Sequence, residues 1–194
     1  AINKAMGEYI AFCDDDDLWL PQKLEKQIKF MDQWGSYFSS TARIMIDING
    51  NPTTLKFKNR LTELLFSRSN YKNLFYSSQI YTSSVMIKRD LLDGHRFDDD
   101  PLLVAVEDYG LWLQLLRKNE DAYKKLDEKL ILYRIGGSSS DWKKQQVRVL
   151  YCLIKHINQH SDFSLYTRLM YVLVYNMFKS IFQILVVNQW TDTT

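Results

Sequence analysis

Four aspartates in a row, Asp14 to Asp17, follow directly on the short apolar stretch Glu8 to Phe12 and run straight into Leu18-Trp19-Leu20-Pro21. Two unit charges about 5 Å apart at an effective dielectric near 20 repel by on the order of 3 kcal/mol, so any fold that gathers such a run must offset it. Three arrangements do so. The run can be a solvated acidic turn. Its acids can sit at a helix N-terminus, which favours anions and accepts Pro21 in its first turn. Or the carboxylates can hold a hard divalent cation such as Mg²⁺ or Mn²⁺. The apolar stretch itself, bounded by Gly7 and the acids, has the pattern of a buried strand. On an extended path Asp14 and Asp16 project to one side about 6.6 Å apart, within reach of one cation after a slight turn.

Pro21 opens a helix in which Leu24, Ile28, Met31 and Trp34 fall at helical spacing, with Gly35 as its end. Residues 37–48 alternate loosely as a strand, closed by the turn Asn49-Gly50-Asn51-Pro52. Residues 55–73 read as helix and loop. The stretch IYTSSVMIK, residues 80–88, predicts a second buried strand, and RDLLDG a short helix after it. Residues 107–118, EDYGLWLQLLRK, predict a helix with Leu111, Leu115 and Lys118 on one stripe and two acids in the first turn. Leu130 to Ile135 predicts a third strand, ending in the flexible GGSSS of residues 136–140, and everything after Trp142 reads as helix. Strands mixed with helices in this order predict an α/β fold.

With 194 residues, 46% of them hydrophobic, the chain can bury a core as one domain or one domain with an appendage. A net charge of +2, with Lys and Arg scattered among acids, argues against a nucleic-acid partner. Cys13 and Cys152 belong to no CxxC pattern, which suggests neither a disulfide framework nor a zinc site and fits a reducing compartment. The opening AINKAMGEYI lacks the basic-then-apolar order of a signal peptide. Residues 168–187, RLMYVLVYNMFKSIFQILVV, are long enough to span a bilayer, but Asn176, Lys179, Ser180 and Gln183 recur on one helical face. An amphipathic helix, packed on the domain or lying at a membrane surface, explains this better.

Five segments then carry a resemblance by their order and spacing. GEYIAFCDDDDLWLPQKLEKQ, YTSSVMIKRDLL, GHRFDDD, EDYGLWLQLLRKN and LYRIGGSSS resemble successive motifs of the family 2 glycosyltransferases that build bacterial surface polysaccharides on a GT-A fold. In family terms these are the D-x-D strand and helix, the strand before the acceptor loop, a Gly-Gly-Phe-Asp-Glu turn in looser form, the Glu-Asp helix and the loop over the diphosphate. The resemblance implies a partial GT-A catalytic domain over residues 1–141 and a helical extension over 142–194. The family's opening strand and base-reading acids would precede Ala1, so a C-terminal portion of the catalytic domain is expected.

The implied reaction is a metal-dependent transfer, with inversion, of a sugar from a nucleotide-sugar donor, a UDP-sugar first of all, to a saccharide or lipid-linked acceptor. It belongs to capsule, O-antigen or exopolysaccharide synthesis. By this resemblance Asp14 and Asp16 hold Mg²⁺ or Mn²⁺, Asp15 lies nearer the donor sugar or ribose, and Asp108 is the general base. Glu107 positions acceptor or backbone groups. Trp19 and Trp112 either stack on a sugar ring or belong to the core, the core being the preferred reading for Trp112, and Arg134 either meets the diphosphate or is a strand-end charge. Ile135 is followed by Gly136 where some members carry a metal-binding His, so that ligand is absent or replaced. The implied location is cytoplasmic, with peripheral contact on the inner face of the plasma membrane. A retaining transferase and a noncatalytic binding module remain the rival readings.

Overall fold

A computed structural model of the chain describes residues 1–53, 71–75, 78, 80–136 and 142–160, together with 170 and 173. Its elements are β1 (Tyr9–Ala11), β2 (Leu18–Trp19), α1 (Lys23–Trp34), β3 (Phe38–Ile46), β4 (Pro52–Thr53), α2 (Tyr71–Leu74), β5 (Met86–Lys88), α3 (Glu107–Lys118), β6 (Tyr123–Arg134) and α4 (Trp142–His160). One mixed sheet runs in the order β1-β5-β3-β6-β2, with β4 paired to β3. Among the described residues only β3 and β6 are parallel; the other pairs are antiparallel. The architecture is the α/β class that the sequence predicts. Of the sequence expectations, the helix and loop over 55–70, the serine loop over 137–140 and the amphipathic face over 168–187 lie outside the described residues. Among the described residues no helix is long and apolar enough to cross a membrane.

The parallel pair is the spine. Parallel strands require a crossover, and the chain between β3 and β6 supplies α3, which buries Leu111, Trp112, Leu113, Leu115 and Leu116. Phe38 to Thr41 are buried one after another, because a central strand is covered on both faces and loses its alternation. Trp112 is fully buried beside Phe38, at 5.1 Å between ring centres, so it belongs to the core. Cys152, Leu153 and Ile157 of α4 join the same core cluster.

Two strands differ from the sequence expectation. The second strand covers only Met86–Lys88, because Thr82–Ser84 form a 3-10 turn. The Ser84 hydroxyl donates to the Tyr81 carbonyl at 2.6 Å, a local bond that competes with a sheet ladder. The third strand starts at Tyr123, seven residues before Leu130. Its first half, YKKLDEK, carries too many charges to resemble a buried strand, and among the described residues it pairs with β3 along one side while its other side is open. The pairing with β3 shifts register on either side of Ala42, and the bulge turns Asp127 and Glu128 to solvent.

Helix α1 bears out only part of the apolar stripe read from the sequence. Met31 is fully buried and Ile28 half-buried, but Leu24 and Trp34 are 42% and 59% exposed, and the polar Lys23 and Gln27 are fully buried instead. Hydrogen bonding explains the choice of face. Gln27 Nε2 donates to the Ser39 hydroxyl (2.9 Å) and to the Ser84 carbonyl (3.0 Å), and Lys23 Nζ donates to Gln27 Oε1 (2.9 Å). Gly35, at φ 59°, closes the helix in the left-handed conformation that a glycine adopts without steric cost.

Gln27→Met, which keeps the shape but removes every one of these bonds, is expected to lower stability by about 1–3 kcal/mol in urea denaturation. Leu24→Ala, on the exposed stripe, is expected to change it by no more than about 0.5 kcal/mol. The reverse ranking would show that the apolar stripe faces the core.

Candidate active site

The acidic run forms a tight turn, with the Asp17 N–H donating to the Asp14 carbonyl at 3.2 Å. It is fastened on two sides. On the first, the Asp14 N–H donates to the Ser83 hydroxyl at 2.9 Å, and the Trp19 indole N–H donates to the Ser83 carbonyl at 2.8 Å. On the second, β2 pairs with the end of β6, and the Arg134 N–H donates to Asp17 Oδ1 at 2.8 Å. The four carboxylates are thereby divided: Asp14, Asp15 and Asp16 are exposed, while Asp17 is only 5% exposed. Asp17 Oδ2 is buried and accepts no hydrogen bond among the described residues. Lost hydration raises the Asp17 pKa, against the hydrogen bonds from Ser83 and the Arg134 backbone. Lost hydration, followed by the Asp17 charge, raises that of Asp14.

Two of the aromatic and basic candidates are held by the fold itself. Trp19 carries the Lys23 ammonium 4.2 Å from its ring centre, in addition to its bond to Ser83. Arg134 donates through Nε to the Asp16 carbonyl (3.0 Å) and through Nη1 to the carbonyls of Asp47 (3.0 Å) and Ile48 (2.9 Å). Those bonds make it a brace between the acidic turn and the β3–β4 turn. Lys23 is a residue that sequence reasoning missed. Burial lowers its pKa to about 8, and its ammonium is held between Gln27 and the Trp19 ring. The only sequence signal was its four-residue spacing to Gln27.

Asp108 enters from α3. Its Oδ2 accepts from the Thr82 hydroxyl at 2.6 Å, and its Oδ1 accepts from the Tyr109 N–H at 2.7 Å. Burial, the largest cause, lifts its pKa to about 6; the charges of Glu107 and Asp14 add to this and the two hydrogen bonds oppose it. Glu107 stands beside it with a buried Oε2 that has no partner among the described residues. Ala105, just upstream, sits at φ 66°, a strained conformation for a residue with a side chain. The loop leading to it is tied down from α4: Tyr151 and Lys155 both donate to Asp100 at 2.9 Å, and Lys155 pairs with Asp98 at 2.7 Å.

The Thr82–Ser84 turn thus brings the two ends of the site together, with Asp108 on Thr82 and Asp14 on Ser83. Among the described residues no three His, Cys, Asp or Glu side chains converge as a ready-made cation site. The exposed Asp14 and Asp16 are hard oxygen donors that fit Mg²⁺ or Mn²⁺, ions that retain waters and fill their shell with substrate phosphates.

The family model described as glycosyl transferase family 2 matches residues 1–95. The chain belongs to this family. It is 33% identical over 146 residues to the putative teichuronic acid biosynthesis glycosyltransferase TuaG of Bacillus subtilis, covering 74% of this chain and 54% of that protein. It is also 33% identical over 120 residues to the Escherichia coli UDP-Glc:alpha-D-GlcNAc-diphosphoundecaprenol beta-1,3-glucosyltransferase WfgD, covering 61% of this chain and 42% of the relative. In fold it is similar to S. aureus TarS 1–349, crystallised in complex with UDP-GlcNAc. The TM-score is 0.50 at 16% identity, over 79% of this chain and 44% of that one. The chain spans about half the length of the first curated relatives it matches.

A carboxylate whose folded pKa is raised binds its proton more tightly in the folded state, so the stability it confers is full below pH about 4 and is lost as pH rises through about 6. Asp108→Asn is therefore expected to stabilise the fold at pH 7.5 by about 1–3 kcal/mol, with the gain vanishing near pH 4. Thermal unfolding of both proteins at the two pH values checks this.

Proposed function

We propose that the chain belongs to an inverting glycosyltransferase that moves a sugar from a UDP-sugar to a saccharide or lipid-linked acceptor in surface-polysaccharide synthesis. The observation that carries the reading is the Thr82–Ser84 turn, which holds the acidic run and a partly buried carboxylate with a pKa of about 6 on adjacent residues. A raised pKa next to a hydroxyl-rich turn suits a group that must accept a proton near neutral pH. The UDP-GlcNAc bound by TarS and the diphosphoundecaprenol acceptor in the name of WfgD support the donor and acceptor classes.

In this reading Asp14 and Asp16 hold Mg²⁺ or Mn²⁺, which when bound stabilises the charge growing on the departing diphosphate. Asp15 faces the donor sugar or ribose. The Arg134 brace and the Ser83 bonds keep the acidic turn from recoiling when its charge is unscreened. Asp108, ionised above pH about 6, removes the proton from the acceptor hydroxyl as that oxygen attacks the anomeric carbon in a single displacement, which inverts the configuration. Glu107 orients acceptor or backbone groups beside it. The protein works on the cytoplasmic side, with peripheral contact on the inner face of the plasma membrane.

Turnover of UDP-glucose and UDP-GlcNAc by the full-length protein with Mn²⁺ tests the reading. Asp16→Asn is expected to lose most activity with the fold intact. Asp108→Asn is expected to lower kcat by about 10²–10⁴-fold while donor affinity stays within about threefold. Equal losses of donor affinity and kcat would make Asp108 a structural acid, and donor binding without turnover in the native protein would make the chain a binding module.

A further inference from the structure

We infer that Thr82 is the positioning residue of the proton-accepting carboxylate, and that the Thr82–Ser84 turn sets the separation between that carboxylate and the acidic run. The inference rests on the reading of Asp108 as the base and deepens it.

Three consecutive residues address three different elements. Thr82 donates its hydroxyl to Asp108 of α3, Ser83 receives the backbone of Asp14 and the indole of Trp19, and the Ser84 carbonyl receives Gln27 of α1. The turn has no freedom to drift. The Ser84 N–H donates to the Tyr81 carbonyl at 2.8 Å and the Val85 N–H to the Thr82 carbonyl at 3.0 Å, and Ser83 and Ser84 are fully buried. A hydroxyl on such a turn is a fixed donor. At 2.6 Å its bond to Asp108 Oδ2 lies in the range of charge-assisted O–H···O⁻ bonds, which favour the ionised carboxylate. With Oδ1 held by the Tyr109 N–H, Thr82 fixes the rotamer of Asp108 and opposes the burial that would otherwise keep it protonated.

The other groups that act on Asp108 are few. Glu107 and the Tyr109 N–H come from its own helix and Asp14 from the acidic run, while Thr82 comes from the turn. Cys152 faces it from α4, with a thiol that burial holds neutral at a pKa of about 12. Glu107 and Asp14 disfavour ionisation by their charge, whereas the Thr82 hydroxyl favours it.

The experiment uses Thr82→Val and Thr82→Ser in the full-length protein, treated with chelator so that Asp14 and Glu107 act equally in every variant. The Asp108 carboxyl is followed by carbon-13 NMR titration, its signal identified by its loss in Asp108→Asn. Thr82→Val is expected to raise the midpoint by about one unit, a tenfold fall in the ionised fraction on the acid side, and Thr82→Ser to restore it. Thr82→Ala serves as a second hydroxyl-free variant, so that agreement between it and Thr82→Val excludes a packing effect. With Mn²⁺ and UDP-glucose, the acid limb of kcat is expected to follow the same shift while the donor KM stays within about twofold. An Asp108 titration unmoved in both hydroxyl-free variants would overturn the inference. Native kcat in Asp108→Asn, with the titration still shifted by Thr82→Val, would instead overturn the base reading alone.

Discussion

The structure depends on a turn of three hydroxyl residues placed where strands would otherwise continue. Thr82, Ser83 and Ser84 interrupt the approach to β5, and the polar groups that a longer strand would have turned to its neighbours reach α1, α3 and the acidic run instead. Buried polar groups cost free energy unless bonded, so each of these contacts is strongly determined once the turn is buried. This is why Lys23 and Gln27 of α1 turn inward beside Met31, while Leu24 and Trp34 stay exposed. The same requirement places Trp19 with its indole N–H on Ser83.

The charge problem posed by four adjacent aspartates is resolved by sorting them. Asp17 is drawn inside and bonded to the β6 backbone, and the Arg134 guanidinium braces the turn through carbonyls. Three exposed carboxylates remain in water, where high dielectric and salt weaken their repulsion. None of these offsets needs a ligand to be in place, and the exposed oxygens stay free for one. At the other end, Lys155 and Tyr151 of α4 hold the loop before α3, so the helical segment after residue 142 contributes to the placement of Asp108.

Much of this was legible in the sequence. The apolar run before the acids, the helix ended by Gly35, the Glu107–Lys118 helix and the α/β order all follow from local patterns that packing did not override. Asp14, Asp16 and Asp108 could be singled out because residue type and neighbouring motif carry the signal. What only the tertiary structure decided is which of several locally acceptable options each residue took. The charged first half of β6 is a strand because β3 supplies a parallel partner along one side, which no local pattern encodes. Asp17 is inside and Asp16 outside because the β6 backbone ends where it can bond one carboxylate of the turn and not its neighbour. Thr82 looked like part of a strand, and Arg134 like a phosphate ligand or a strand-end charge, because a hydrogen bond between residues far apart in the chain leaves no trace in spacing. The sequence therefore determined the elements and the residue types able to do chemistry, since these depend on interactions within a few residues. The tertiary structure decided their partners, burial and pKa values, since these depend on the low-dielectric surroundings that only the assembled chain creates.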